Sequence, residues 1–579
     1  MFKNHPKGLP VLFFTEMWER FGFYLMLGIF TLYMIDGQAG GLGLSVAEAA
    51  DIYGTYIALV YLTPFVGGLL ADRILGYRKA ILIGGVLMGL GYLGLAASGL
   101  DPLFWISLGL VILGNGLFKP NISTLVGNLY DNDQFRANKD SGFNIFYMGI
   151  NIGAFVCNFV AAVLRNSYGW GAAFAAAGVG MFVGVAWFLF GMKHTADADA
   201  RKPARPEDEP VGRILAKVFG PAFLFAAIGW LGVSLVLGSG NTLFGSRSND
   251  AFLFACIPVI WFYVSVWRKA QADERDSIGA LLSIFAVVIV FWAIFHQNGS
   301  ALTIWAEKYT HREAPTAVAK VAGALGIVQS VDTSPREVPQ TDGHGVPLKG
   351  PDGKTLVAMG PHPYFNNLPR EQWPAEGTPL KLISTELFQS INPFFVVFLT
   401  PLVVFTFGWL RRRSKEPSTP AKIALGLFVT AISTIVMIAA TFATHNGQTK
   451  ASALWLVATY GIITLGELCL SPMGLSLVSK LSPTRLTAVM MGGWFLSTSV
   501  GNKLSGILSG LLTRFEHKSS IFIINFVGAS VAALLIALML PRLRRVMERH
   551  MAAPQPQKAP EPTPAPAAGS GAGTGAPTP

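Results

Sequence analysis

Fourteen apolar segments of membrane-crossing length follow one another along this chain of 579 residues, most of them separated by short polar loops. Their cores run at 10–34, 49–71, 79–98, 103–123, 143–164, 171–191, 214–237, 251–267, 278–297, 384–409, 421–442, 452–478, 487–512 and 520–540. At about 1.5 Å of rise per residue, roughly twenty residues of helix cross a hydrocarbon layer. An open sheet built from such segments would leave backbone groups unpaired in lipid, so helix is the only reading. Charged residues make up 13% of the chain, against about 25% in a soluble protein. The expectation is an all-α polytopic membrane protein with 14 transmembrane helices. A soluble enzyme with one anchor is excluded. A cleavable leader is not expected, because the first apolar segment carries Glu16, Glu19 and Arg20.

Arginine and lysine concentrate in alternate loops. Arg73, Arg78 and Lys79 follow the second segment, Arg136 and Lys139 the fourth, and Lys193, Arg201, Lys202, Arg205 and Arg213 the sixth. Arg268, Lys269 and Arg275 follow the eighth, Arg411, Arg412, Arg413 and Lys415 the tenth, and Arg542, Arg544 and Arg545 the last. The loops between carry few. By the positive-inside rule both termini are cytoplasmic. The net charge of +11 follows from this pattern and needs no nucleic acid. Residues 306–382 form a polar, Pro- and Gly-containing insertion on the outer side, with apolar islands at Val318–Val328 and Pro363–Leu368 that suggest partial order. The end of the chain, 546–579, reads as a disordered cytoplasmic tail. Cys157, Cys256 and Cys469 all lie in apolar segments and read as buried small side chains, with no metal site or cofactor implied. Ser45-Val-Ala-Glu48 has the form of a capping box opening the second helix.

Within the apolar segments, ionisable and amide side chains stand out. Glu16, Glu19, Arg20, Phe23, Tyr24 and Leu27 share one helical face, and Glu16 and Arg20 are spaced for an ion pair. A charge at that depth is by default a functional hypothesis. Further polar groups appear as Lys119-Pro-Asn, Tyr147 to Gly153, Trp292 with His296, Gln389 with Asn392-Pro393, Glu467 to Ser476, and Trp494 to Thr498. Asn392-Pro393 is open to being a simple kink. Arg20 and Lys119 form a basic cluster in the first half, and Glu467 with Asn392 an acid-and-amide cluster in the second. A cavity with opposite signs at its two ends suits a zwitterion.

Gly68-Leu-Leu-Ala-Asp72-Arg73-Ile-Leu-Gly76-Tyr-Arg78-Lys79 resembles the loop signature of the major facilitator superfamily. Together with Glu16-Met-Trp-Glu19-Arg20-Phe21, Lys119-Pro-Asn, Tyr147-Met-Gly-Ile-Asn-Ile-Gly-Ala and the Gly466 to Ser476 run, the chain resembles the proton-coupled oligopeptide transporter family over nearly its whole length except 306–382 and the tail. The resemblance implies a major facilitator fold, 6 + 2 + 6: a first six-helix bundle over 1–192, a linker and two extra helices over 193–276, and a second bundle over 277–545. It implies a secondary transporter that imports di- and tripeptides with protons by alternating access across the cell's inner membrane, rather than an enzyme. Arg20 and Lys119 would then hold the peptide carboxylate, and Asn151, Asn392 and Glu467 its amino group. Tyr24, Tyr61, Tyr147, Trp292, Trp494, Phe495 and Thr498 would line the pocket. A monomer suffices, because the cavity lies within one chain.

Three positions depart from that family's pattern. Phe23 replaces the first tyrosine of a usual pair, Leu27 a second arginine, and His296 an acid that can pair with that arginine. Loss of both partners leaves no buried unpaired charge, so the joint change is coherent. Proton coupling is then expected to rest on Glu16, Glu19, Arg20, Glu467 and His296, whose imidazole titrates in the working range when unperturbed. Competing readings are a carrier of another anionic solute such as nitrate, and a peptide carrier with altered or absent proton coupling. Glu467, Asn151 and Asn392 argue against the first, since an anion has no ammonium to satisfy them. A receptor or enzyme centred on 306–382 is a third. His311, His344 and His362 are too widely spaced there for a compact zinc motif.

Overall fold

The computed structural model describes residues 2–552 apart from 39, 132–133, 200–210, 239–240, 343–346, 351–354, 376 and 484–485. The basic linker residues Arg201, Lys202 and Arg205, His344, and the tail from 553 onward lie outside the described residues. The first six long helices are α1 (Gly8–Ile35), α2 (Val46–Leu70), α3 (Tyr77–Ala97), α4 (Pro102–Asn128), α5 (Lys139–Tyr168) and α6 (Trp170–Gly191). A hairpin follows, with one arm of α7 (Val211–Ala227) and α8 (Val233–Leu237) and the other of α9 (Arg247–Lys269). Next come α10 (Ala272–Phe295) and α11 (Ala301–Tyr309), then the insertion with α12 (Thr316–Ala324). The chain ends in α13 (Ile391–Arg412), α14 (Thr419–Ala443), α15 (Ala453–Leu481), α16 (Thr487–Gly510) and α17 (Ser519–Ala552). Twelve helices among the described residues are long and apolar enough to cross a membrane. α1, with its three charges, and α16 are outside that set, although at 28 and 24 residues both have the length.

Two bundles result. α1 packs on α5 and α6, α3 on α4 and α6, and α2 on α4; α10 packs on α16 and α17, α14 on α15 and α17, and α13 on α15. Each bundle has its own apolar core, one centred on Phe23, Met26, Phe30, Tyr56 and Phe118, the other on Leu281, Ile284, Phe291, Leu427 and Leu470. The hairpin is different. Phe223, Leu235, Val236 and Trp261 are largely exposed, so its apolar surface is left for lipid rather than protein.

Local chemistry sets the boundaries. Ser45 and Glu48 form the expected capping box at the start of α2, each accepting the other's backbone N–H. At the other end of α2 a π turn over Ala71–Leu75 reaches Gly76, whose φ of 79° suits glycine. Tyr77 Oη–H then donates to Asp72 Oδ1 at 2.7 Å. Asp199 Oδ1 accepts from the backbone of Tyr77 and Arg78, placing a carboxylate on the N-terminus of α3. The loop signature is thus tied to the linker.

Three expected boundaries move. The segment 278–297 breaks at His296, where a 3-10 turn over His296–Gly299 separates α10 from α11. Residues 385–390 form another 3-10 turn, so Pro393 falls in the first turn of α13, where its missing N–H costs no helical bond. It makes no kink. The last helix continues to Ala552, past the expected start of the tail at 546.

The insertion starts after Tyr309 and holds two two-stranded pairings, and a third ties it to the strand before α15. β1 (Thr310–His311) runs parallel to β6 (Ala451–Ser452), β2 (Val328–Val331) antiparallel to β5 (Leu380–Ile383), and β3 (Arg336–Pro339) antiparallel to β4 (Val357–Gly360). Val331, Tyr364, Phe365, Leu368 and Leu382 form a small core. Asn367 Nδ2 donates to the carbonyls of Lys308 and Gly447 in the second bundle. Asn166 of α5, in the first bundle, donates to Gly326 O and Ser384 Oγ. The insertion therefore straddles both bundles.

Candidate functional site

The break after α10 organises the space between the bundles. A 3-10 turn leaves helical carbonyls without their usual donors. Here they are taken by neighbours: Thr31 of α1 donates to Gly299 O at 2.6 Å, and Gln389 Nε2 donates to Asn298 O at 2.5 Å. Gln297 and Asn525 of α17 exchange two amide bonds at 3.1 and 2.9 Å. His296 is thereby fixed at the break. Its Nδ1 lies 3.3 Å from Trp292 O, so Nδ1 carries the hydrogen and Nε2 is the acceptor. Its ring contacts Trp292 at 5.1 Å and, across the bundles, Tyr61 of α2 at 5.6 Å. Lys119 of α4 places Nζ 4.2 Å over the other side of the site, on the Tyr61 ring.

Glu16, Glu19 and Arg20 are all buried on α1. Arg20 binds Glu19 through Nε and through Nη2, the latter at 2.7 Å, and Glu16 Oε1 sits 3.2 Å from Nε. Phe23 packs its ring under the guanidinium at 4.9 Å. Asn115 of α4 donates to Glu19 Oε1 at 3.4 Å. Lys119 lies within charge range of Glu16, Glu19 and Arg20. Two acids thus balance two bases, and the cluster expected to be basic is neutral with every group ionised. Arg20 is held by its own helix. Glu16 Oε2 has no partner among the described residues.

On the second bundle, Asn392 Nδ2 donates to Glu467 Oε2 at 3.1 Å and to Thr464 Oγ1 at 2.9 Å. Both amide hydrogens are used, so Asn392 has only its oxygen to offer a ligand. Tyr24 and Tyr61 each lie within charge range of both Arg20 and Glu467, so the same two tyrosines stand near both poles. Tyr147 is within charge range of Glu16 and is 53% exposed. Asn151 donates back to Tyr147 O and leaves its own oxygen free of that bond. Leu27 packs against the first core.

The remaining expected residues are placed by packing. Trp494 is buried beside Gly474 and lies 6.4 Å from Phe285, inside the second core. Phe495 packs partly against that core. Thr498 is buried and donates to Trp494 O at 3.2 Å. Trp292 Nε1 is buried with no partner among the described residues. Those residues hold no group of three metal-ligating side chains.

Several inter-bundle contacts escaped the motif reading. At the insertion end Arg165 of α5 pairs with Glu386 at 2.8 Å and stacks on Trp170 at 4.1 Å. Asn158 donates to Ser390 Oγ at 3.0 Å. Lys503 of α16 pairs with Asp51 of α2 at 2.6 Å. Each is an ionisable or amide side chain inside or at the edge of an apolar segment, which is a usable signal; the partner is distant in sequence and is not.

Known proteins are similar to this chain in sequence and in fold. The sequence profile of the POT family matches residues 78–320 and 381–525, leaving out most of the insertion. An uncharacterized transporter, YclF, of Bacillus subtilis is 31% identical over 94% of this chain and 96% of its own. The di-/tripeptide transporter of Lactococcus lactis subsp. lactis is also 31% identical, covering 94% of this chain and 97% of its own. A crystal structure of the peptide transporter POT in complex with sulfate superposes with a TM-score of 0.70 at 32% identity, over 94% of this chain and 97% of that one. This integral, multi-pass membrane protein belongs to the POT family.

Proposed function

We propose that this chain is a secondary active transporter that carries di- and tripeptides into the cell with protons by alternating access. In this reading it crosses the plasma membrane fourteen times, as 6 + 2 + 6 helices, with both termini cytoplasmic and the insertion outside. What supports the proposal is that Tyr61 joins the two bundles, with Lys119 Nζ 4.2 Å over its ring and His296 5.6 Å from it, while Tyr24 and Tyr61 lie within charge range of both Arg20 and Glu467. A peptide offers one carboxylate and one ammonium whatever its side chains, so two fixed poles recognise all of them.

The chemistry follows from the hydrogen bonds. Arg20 is neutralised by Glu19 and Glu16. A proton on either acid weakens that grip and frees guanidinium hydrogens for the peptide carboxylate, beside Lys119. Glu467, with the oxygens of Asn392 and Asn151, accepts from the ammonium. Tyr147, Trp292, Phe495 and Thr498, with Trp494 behind them, shape the space for side chains. His296 Nε2 is left as the acceptor atom at the break between α10 and α11, facing Tyr61 across the bundles.

The test is uptake of labelled dialanine into proteoliposomes under a clamped pH gradient. Accumulation driven by an inward proton gradient, displaced by unlabelled dipeptide and unaffected by nitrate, is expected. Uptake that ignores the gradient removes proton coupling, and displacement by nitrate favours the anion carrier.

A further inference from the structure

One buried lysine joins three parts of the molecule. Lys503 of α16 has no exposed side-chain surface. Its Nζ donates to Asp51 Oδ1 at 2.6 Å, Thr55 Oγ1 at 2.5 Å and Ser248 Oγ at 2.8 Å. Ser248 Oγ–H in turn donates to the same Asp51 oxygen at 2.6 Å. All three ammonium hydrogens are placed. Asp51 and Thr55 belong to α2 of the first bundle, Lys503 to the second bundle, and Ser248 to the first turn of α9 in the extra hairpin.

The contact depends on an unusually close approach. A Cβ on Gly54 would stand 2.8 Å from the Cα of Gly506, and one on Gly506 would stand 2.7 Å from the Cα of Gly54. The helices therefore touch backbone to backbone beside the lysine. Two turns further along, Ser499 Oγ donates to Ala58 O at 2.7 Å. Asp51 and Thr55 are short side chains. Any tilt that parts α2 from α16 at this end withdraws two of the three acceptors from Lys503 Nζ, so the full set of bonds is lost on opening. The network is satisfied only while the insertion end is closed.

We infer that the Asp51–Lys503 pair, keyed by Ser248, is the positioning device that holds the insertion end of the transporter closed, and that the extra hairpin takes part in it. This rests on the alternating-access reading. It places an inter-bundle charge pair on α2 and α16, and it gives the hairpin a task beyond filling lipid space. Transport then requires the pair to break and re-form once per cycle.

The experiment measures the distance between spin labels at Gly99→Cys and Gln448→Cys by pulsed electron resonance, with Cys157, Cys256 and Cys469 replaced by alanine. These two positions are exposed in the loops joining α3 to α4 and α14 to α15, one in each bundle. The unmodified pair should give a single short distance. Asp51→Asn with Lys503→Met leaves no buried charge, and should raise the population at long distance by about tenfold or more. The exchanged pair, Asp51→Lys with Lys503→Asp, should return the short distance. Ser248→Ala, which removes one hydroxyl, should shift the population in the same direction by less. A neutral pair with the unmodified distance distribution overturns the proposal. If the neutral pair does not fold, an unchanged distribution in Ser248→Ala overturns it instead. Dialanine uptake in the same preparations separates the two readings. Distances that shift as expected without any uptake in the unmodified protein overturn the transport reading alone. Sustained uptake with unshifted distances overturns this one.

Discussion

Acid should loosen the insertion through His362. This histidine is buried beneath the small insertion core, and its Nδ1 accepts from the backbone N–H of Tyr364 at 3.1 Å. That bond requires an unprotonated Nδ1. Burial holds the imidazole down to about 4, with Glu307 opposing and Arg336 and Arg312 adding to the effect. An unfolded histidine titrates near 6.5. Between these values the unfolded insertion binds a proton that the folded one refuses, so stability rises with pH there and falls as pH drops from 6.5 toward 4. The full interval is worth roughly 3 kcal/mol, and the part from 6.5 to 5 roughly 2 kcal/mol, or about thirtyfold in the opening equilibrium. Amide hydrogen exchange in β2 and β5 at pH 7.5 and 5.0, each normalised to the intrinsic rate, reads this directly. The strands should lose about thirtyfold protection at the lower pH. His362→Gln keeps an acceptor but cannot titrate, and should lose most of the difference. An equal loss in His362→Gln, or no loss in the unmodified protein, refutes the argument.

Three further outcomes are expected. Arg20→Ala should abolish dialanine binding in calorimetry, a loss of about a hundredfold or more, because Lys119 alone faces the carboxylate and two buried acids lose their partner; near-normal binding overturns the assignment. Glu467→Gln should weaken dialanine far more than N-acetyl-dialanine in competition assays, since only the first has an ammonium; equal effects would move the amino-terminal pole elsewhere. Phe365→Ala removes a fully buried ring from the insertion core and should cost about 3–5 kcal/mol. That exceeds what so small a core can lose, so proteolysis within 310–383 should rise while the bundles melt unchanged.

The helices were legible because lipid removes the alternatives. Each expected apolar core finds a helix, and the Ser45–Glu48 box forms as its spacing implies. The Glu16–Arg20 pair was legible too, being one helical turn apart. Glu19's hold on Arg20 was not: neighbouring side chains on a helix do not face each other, and only a long arginine buried on all sides curls back to one. The break at His296 carries no proline, and its cause lies in donors from α1, α17 and the turn before α13. Trp494 reads as a pocket residue in a linear motif, yet its place beside Gly474 is a matter of packing between α15 and α16. Asp51 and Lys503 are conspicuous singly. Their pairing across 452 positions is a property of the folded bundles alone.

The ion pair between Arg165 and Glu386 has a consequence for how the protein is made. The two residues are separated by 221 positions. At about 5–20 residues per second, roughly 10–40 s pass between the synthesis of the arginine and that of its carboxylate. The first core contains no residue beyond Ala198, so that bundle can assemble without waiting. Its arginine then stands at the bundle end, beside Trp170, until a much later stretch of chain delivers Glu386. The nascent transporter therefore begins life with its seam unfastened, and sealing waits on the second half of the chain.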